Sequence, residues 1–256
     1  MKSLFPTKAA GLCLAAALVC LSVKSSEGVK SEAIVPCSRS DPKLSDCLLK
    51  LSPRIIAGFT ELHPEFPAAR IRDPQKIGTI LSKTGDSSIG LSFKLTDNVL
   101  YGQKTDVVKD LKIDMKRRDL KVIIFCPRYE ILCKYEMSGK VLFLPITGKG
   151  NGNITAVNTT FDLNIKWDIV KRDGVKYLKP RTYSYKIRPE RTYLHFDNLF
   201  NGDKYLGEQM NQFMNDNHKE LYSVFIPAFE KVLAEEDKQE LTEILSVLPY
   251  DELFLD

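Results

Sequence analysis

Histidine is scarce in this chain: His63, His195 and His218 are the only three, and they lie far apart. Neither H-E-x-x-H nor C-x-x-C occurs, so the common spacings for holding zinc are missing. The serine elbow G-x-S-x-G is missing as well. Gly148, Gly150 and Gly152 imitate a phosphate loop only weakly, because they lie among strand-like residues and no G-K-[ST] follows; the spacing predicts a hairpin turn. The acids Glu235, Glu236 and Asp237 read as a solvated helix surface. These absences point away from an enzyme, and no catalytic residue, metal or cofactor is assigned.

Long apolar runs are equally scarce. The one that exists, Ala9 to Val23, follows Lys2 and Lys8 and stops at Lys24 before the small, polar SSEG. A membrane helix needs roughly 20 apolar residues, and this run is shorter. The order of charge, apolar stretch and small residues predicts a secretory signal over residues 1–25, cleaved between 22 and 28. Residues 26–256 then form a single ligand-binding domain that is soluble and not stably inserted in a membrane. Losing Lys2, Lys8 and Lys24, and no acid, takes the formal charge from +4 to +1. A nearly neutral chain lacks the basic footprint of nucleic-acid binding. Lys112, Lys116, Arg117 and Arg118 do cluster, but acids interleave with them and a solvated turn fits.

Export makes disulfides permissible, and four cysteines remain after cleavage: Cys37, Cys47, Cys126 and Cys133. Asp41-Pro42 is a turn dipeptide between Cys37 and Cys47, so that pair is expected to bond. Cys126 and Cys133 would face opposite sides of a straight strand, about 23 Å apart. A bond needs Cα atoms within roughly 7 Å. Either the chain reverses or bulges at Pro127-Arg128, or both are buried thiols. Asn153-Ile154-Thr155 and Asn158-Thr159-Thr160 are glycosylation acceptors.

Leu44, Cys47, Leu48, Leu51, Ile55 and Phe59 form one helical stripe, with a kink or break expected at Pro53. Glu61 to Pro74 contains three prolines and reads as extended or looped. From about Ile89 to Asp197 the period becomes two, as in Phe161, Leu163, Ile165, Trp167 and Ile169 against Asp162, Asn164, Lys166 and Asp168. These are amphipathic antiparallel strands, and their dry faces need a common partner. Leu206, Met210, Phe213, Met214, Asn217, Leu221, Phe225, Ala228, Phe229 and Val232 supply it as a helix from Asp203 to Leu233, kinked near Pro227. A second, short helix is expected at Asp237 to Leu248. The class is α+β.

Several stretches carry a resemblance: Lys134-Tyr135, Gly139 through Ile146, Gly148-Lys149-Gly150, Asn198 through Gly202, Leu206, and Asn215-Asp216-Asn217. Pro249, Leu253 and Phe254 fit the closing residues, and the early cysteine pair fits an N-terminal disulfide. On these residues the chain resembles the insect takeout and haemolymph juvenile-hormone-binding protein family. The resemblance implies a long helix wrapped by a strongly curved antiparallel β-sheet enclosing a hydrophobic tunnel, similar to one half of the tubular lipid-binding proteins. It implies a secreted, extracellular and monomeric carrier of a hydrophobic small molecule: a juvenile-hormone-like terpenoid, a fatty acid or a related lipid. The alternative is a protein- or membrane-recognition module with a solid core.

Burying about ten methylenes at roughly 0.8 kcal/mol each would drive such binding by on the order of 8 kcal/mol before ordering costs. Met210, Phe213, Met214, Leu221 and Phe225 are the candidate wall residues on the helix, because methionine adapts to irregular shapes; Trp167 is a candidate on the sheet. Ordinary core packing accounts for the same pattern. Tyr183, Tyr185, Tyr193, His195 and Asn217 are candidate polar anchors. Asn211 and Asn215 are expected to be wet and Asn217 inward.

Overall fold

A computed structural model describes residues 37–60, 73–83 and 90–254; the expected signal, residues 1–25, and most of the proline-rich 61–74 stretch lie outside them. Helix α1 (Leu44–Thr60) comes first and runs through Pro53 without a break. Eight antiparallel strands follow: β1 (Gln75–Ile77), β2 (Ile80–Lys83), β3 (Leu91–Tyr101), β4 (Val107–Asp114), β5 (Asp119–Val141), β6 (Leu144–Arg172), β7 (Val175–Arg188) and β8 (Arg191–Phe196). Helices α2 (Lys204–Asp216) and α3 (His218–Val247) close the chain.

The sheet is organised by its two longest strands. β5 and β6 pair from Val141↔Leu144 to Asp119↔Lys166. The outer edge of β5 is shared by β3 and β4, and that of β6 by β7 and β8. Asp173 and Gly174, both at positive φ, reverse the chain between β6 and β7, and the Asp-Gly dipeptide is itself a turn signal in the sequence. The expected turn at Gly148–Asn153 is instead strand. Gly148, Gly150 and Gly152 pair with Met137, Tyr135 and Cys133, and the reversal lies earlier, between Val141 and Leu144. These glycines recur every second residue and so share one face. A Cβ added at Gly152 would fall 2.9 Å from the Phe196 ring, and one at Gly150 2.7 Å from the Asp197 carbonyl oxygen. Their bareness admits the close crossing of residues 196–199, not a turn.

In both long strands the buried positions change parity part-way along. On β5 the buried residues are Leu120, Val122, Ile124 and Cys126, then Tyr129, Ile131, Cys133, Tyr135 and Met137. On β6 they fall at Ile146, Gly152, Ile154 and Thr155, then at Thr159, Leu163, Ile165 and Trp167. Each strand slips by one position, β5 around Pro127-Arg128 and β6 around Asn158, whose φ is 48°. Because both slip opposite each other, their register is unchanged. Strand alternation therefore puts Cys126 and Cys133 on the same side, buried and unbonded, while Cys37 and Cys47 form a disulfide.

Two apolar cores result. One gathers α1, β4, the start of β5, the end of β6, β7 and the C-terminal half of α3, with Trp167, Leu241, Ile244 and Leu248. The other gathers β1 to β3, the rest of β5, β8, α2 and the N-terminal half of α3, with Tyr135, Phe196, Met214 and Phe225. Helix α3 spans both. It continues through Pro227 to Val247, so the expected short last helix is its second half, and the helical break falls at Asn217. Among the described residues no helix is long and apolar enough to cross a membrane.

Candidate ligand-binding cavity

Where the two cores meet under α3, a cavity of about 120 Å³ remains. A buried water needs roughly 10–15 Å³, so the space suits on the order of ten small heavy groups. Ile124, Tyr129, Ile131, Ile154, Ala156, Thr159 and Phe161 form its sheet wall. These residues flank the slips in β5 and β6 and face one space from either side of them. Leu221, Phe225, Ile226, Phe229 and Leu233 form the helix wall, and Ile77, Leu100, Ile187 and Leu194 close the sides.

Of the sequence-derived site residues, Leu221, Phe225 and Tyr185 line this cavity. Met210 and Met214 are buried in the second core, and Phe213 packs beside it, against Phe143. Trp167 is buried in the first core, beyond the cavity. Met210, Phe213 and Met214 lie on α2, before the break at Asn217, and the cavity is lined from α3. Among the anchor candidates, Tyr193 is half exposed and His195 lies on the surface, 3.1 Å from the Asp197 carboxylate. Asn217 joins α2 to α3: its backbone and side-chain N–H groups both donate to the Phe213 carbonyl, at 3.0 and 2.7 Å.

Asn211 and Asn215 are not wet. Asn215 accepts from the Leu194 N–H and donates to its carbonyl, both at 2.8 Å, and Asn211 does the same to Phe196 at 3.0 Å. Two asparagines one helical turn apart thus supply to the free edge of β8 the bonds a neighbouring strand would make.

Two tyrosine–aspartate pairs stand among the polar groups of the wall. In one, the Tyr129 hydroxyl donates to the Asp106 carboxylate at 2.6 Å, beside Gln75 and Gln103. In the other, the Tyr185 hydroxyl donates to Asp237 Oδ2, and the Tyr183 hydroxyl lies 3.3 Å from that of Tyr185. Burial holds the Asp237 carboxyl well above the usual carboxylate range, although the nearby Tyr185 and Tyr183 hydroxyls pull it down. Burial likewise raises the Tyr185 hydroxyl, reinforced by the Asp237 charge. His218 also lines the space, with Nδ1 3.0 Å from the Tyr222 hydroxyl; burial and the nearby Arg191 and Lys219 charges lower its pKa.

Asp237 corrects the reading of 235–237 as a solvated surface, since it is 2% exposed. Its position carried the signal: it lies four residues after Leu233 and four before Leu241, on the inward stripe. Among the described residues no group of three or more His, Cys, Asp and Glu could hold a metal ion.

The sequence model of the haemolymph juvenile hormone binding protein family matches residues 13–255. This chain belongs to that family. The circadian clock-controlled protein daywake of Drosophila melanogaster is 30% identical over 240 residues, covering 91% of this chain and 90% of the relative. Daywake of Drosophila yakuba is 28% identical over 243 residues, with the same coverages. The crystal structure of Epiphyas postvittana Takeout 1 superposes with a TM-score of 0.74 at 24% identity, covering 85% of this chain and 97% of that one. That likeness establishes the α+β fold of antiparallel sheet and long C-terminal helix. The family is one of hydrophobic-ligand carriers, not enzymes.

Proposed function

We propose that this protein is exported, loses residues 1–25, and carries a lipid-like small molecule in the cavity between its two cores. The apolar cavity carries the reading, because a folded chain ordinarily fills such space with its own side chains. Filling it with about ten methylenes would supply on the order of 8 kcal/mol, a gross value near micromolar affinity. Residues 26–256 act as one monomeric unit, held at the start by the Cys37–Cys47 bond. Exported chains also meet the glycosylation machinery. The Asn153 amide donates to Glu130 at 2.7 Å and the Asn158 amide to Glu190 at 2.8 Å, but Asn158 is exposed at the slip in β6 and Asn153 is only part-exposed, so exposure favours Asn158 as the acceptor.

One preparation tests all of this. Protein secreted by insect cells is measured intact by mass spectrometry, with and without glycosidase, and its organic extract is searched for lipids. The expected result is a chain starting between residues 23 and 29, a glycan at Asn158 and a stoichiometric apolar molecule. A lipid-free protein that takes up no fluorescent apolar probe would overturn the carrier reading.

A further inference from the structure

The carrier reading leaves open what kind of head group the cavity accepts, and its polar inventory bears on that. Asp237 Oδ2 is engaged by Tyr185, while Oδ1 is buried and has no hydrogen-bond partner. Gln75 Nε2 and Thr159 Oγ1, also buried and also on the cavity wall, lack partners too. A buried polar atom without a partner is costly, and a ligand that supplies one removes the cost. Among the described residues no lysine or arginine lines the cavity, and His218 is held towards its neutral form. On α3, Glu236 and Glu240 flank Asp237; Glu236 Oε1 accepts from the Gly78 N–H at 2.8 Å, and Glu240 is buried.

We propose that Asp237 is the polar anchor of the cavity, and that its unpartnered oxygen selects uncharged lipids bearing a hydroxyl over fatty-acid anions of equal length. A hydroxyl can donate to Oδ1 or accept from it, so it pairs whichever atom carries the proton. Because Tyr185 already donates to Oδ2, a proton on the acid is directed to Oδ1. A carboxylate head group would enter an apolar space that offers no counter-charge and already holds the Asp106 and Asp237 carboxyls. The tail lies along Phe225, Phe229 and Ile131.

The proposal rests on the carrier reading, and one titration separates the two. The full secreted protein is loaded with N-phenyl-1-naphthylamine, and 1-decanol and decanoate compete for it at neutral pH. Decanol is expected to displace the probe at least about tenfold more effectively than decanoate. In Asp237→Leu the two ligands respond differently, decanol weaker by about fivefold or more and decanoate no weaker, because the hydroxyl's partner disappears while the missing counter-charge is unchanged. Asp237→Asn, which keeps a hydrogen-bonding head, holds decanol within about threefold while decanoate gains. A merely structural role would move both ligands the same way. Equal displacement by decanol and decanoate in the native protein overturns the anchor and leaves the carrier intact. Absence of any probe uptake overturns both. If Asp237→Leu does not fold, the native ranking together with Asp237→Asn still decides.

Discussion

Leu221 and Met214 lie two turns apart on neighbouring helices and do different work. Leu221 is buried but borders the cavity, so a larger side chain there has empty space to enter. Leu221→Trp is expected to abolish uptake of an apolar probe, at least about tenfold, while the thermal midpoint stays within a few degrees. Met214 is fully buried in packed core. Met214→Ala is expected to cost about 2–5 kcal/mol in urea unfolding, with little change in probe affinity per folded molecule. Reversed outcomes would mean that the ligand lies further along α2. Hydrophobic stripes were legible residue by residue, and Leu221 and Phe225 came from that pattern. What it could not separate was wall from filling, because a methionine in a core and one beside a gap have the same spacing. Asp237 was hidden for the opposite reason: beside two glutamates its charge outweighed its place on the stripe.

At the scale of elements, α2 earns its position through Asn211 and Asn215. Each satisfies both backbone groups of one β8 residue, so removing either side chain leaves a half-buried N–H and C=O unpaired. Asn211→Ala or Asn215→Ala is expected to cost about 1–3 kcal/mol in denaturant unfolding. Hydrogen exchange at the Phe196 or Leu194 amide, respectively, should accelerate; unchanged exchange would show that water replaces the asparagine without loss. The order of helix, sheet and helix, the alternation of β3 to β8 and the Asp173-Gly174 turn were all legible, because period and turn chemistry are local. The paired slip was not. One residue out of phase in a single strand reads as noise, and only its match in the facing strand makes it architecture. The alternating glycines misled for the same reason: their purpose lies in Tyr135, Phe196 and Leu199, distant in sequence.

For the whole molecule, three buried groups on β5 tie stability to alkaline pH. Burial pushes Cys126 up to about 12 and Cys133 to about 11, from an ordinary 9.0. Burial and the Asp197 charge push Tyr135 from 10.0 to about 12. Below pH 9 both folded and unfolded thiols keep their protons, so this contribution is fully present. As pH rises towards 11–12 only the unfolded chain ionises, and stability is lost. Between pH 8 and pH 10 the loss should be on the order of 3 kcal/mol, read as a falling urea midpoint. Replacing both cysteines with alanine should flatten most of that slope. The same thiols should resist alkylation in the native protein and react on unfolding.

On the proposed carrier function, the matched slip in β5 and β6 would also make cargo a structural member. A molecule lodged between the two cores touches both, so filling the cavity fastens one half of the protein to the other, whereas emptying it leaves helix α3 and the paired strands to hold them together. At a hundredfold excess over its dissociation constant such a cargo would add about 2.7 kcal/mol. Loaded and empty carriers would then differ in rigidity along their whole length, and a receiving surface could read that difference without ever touching the ligand.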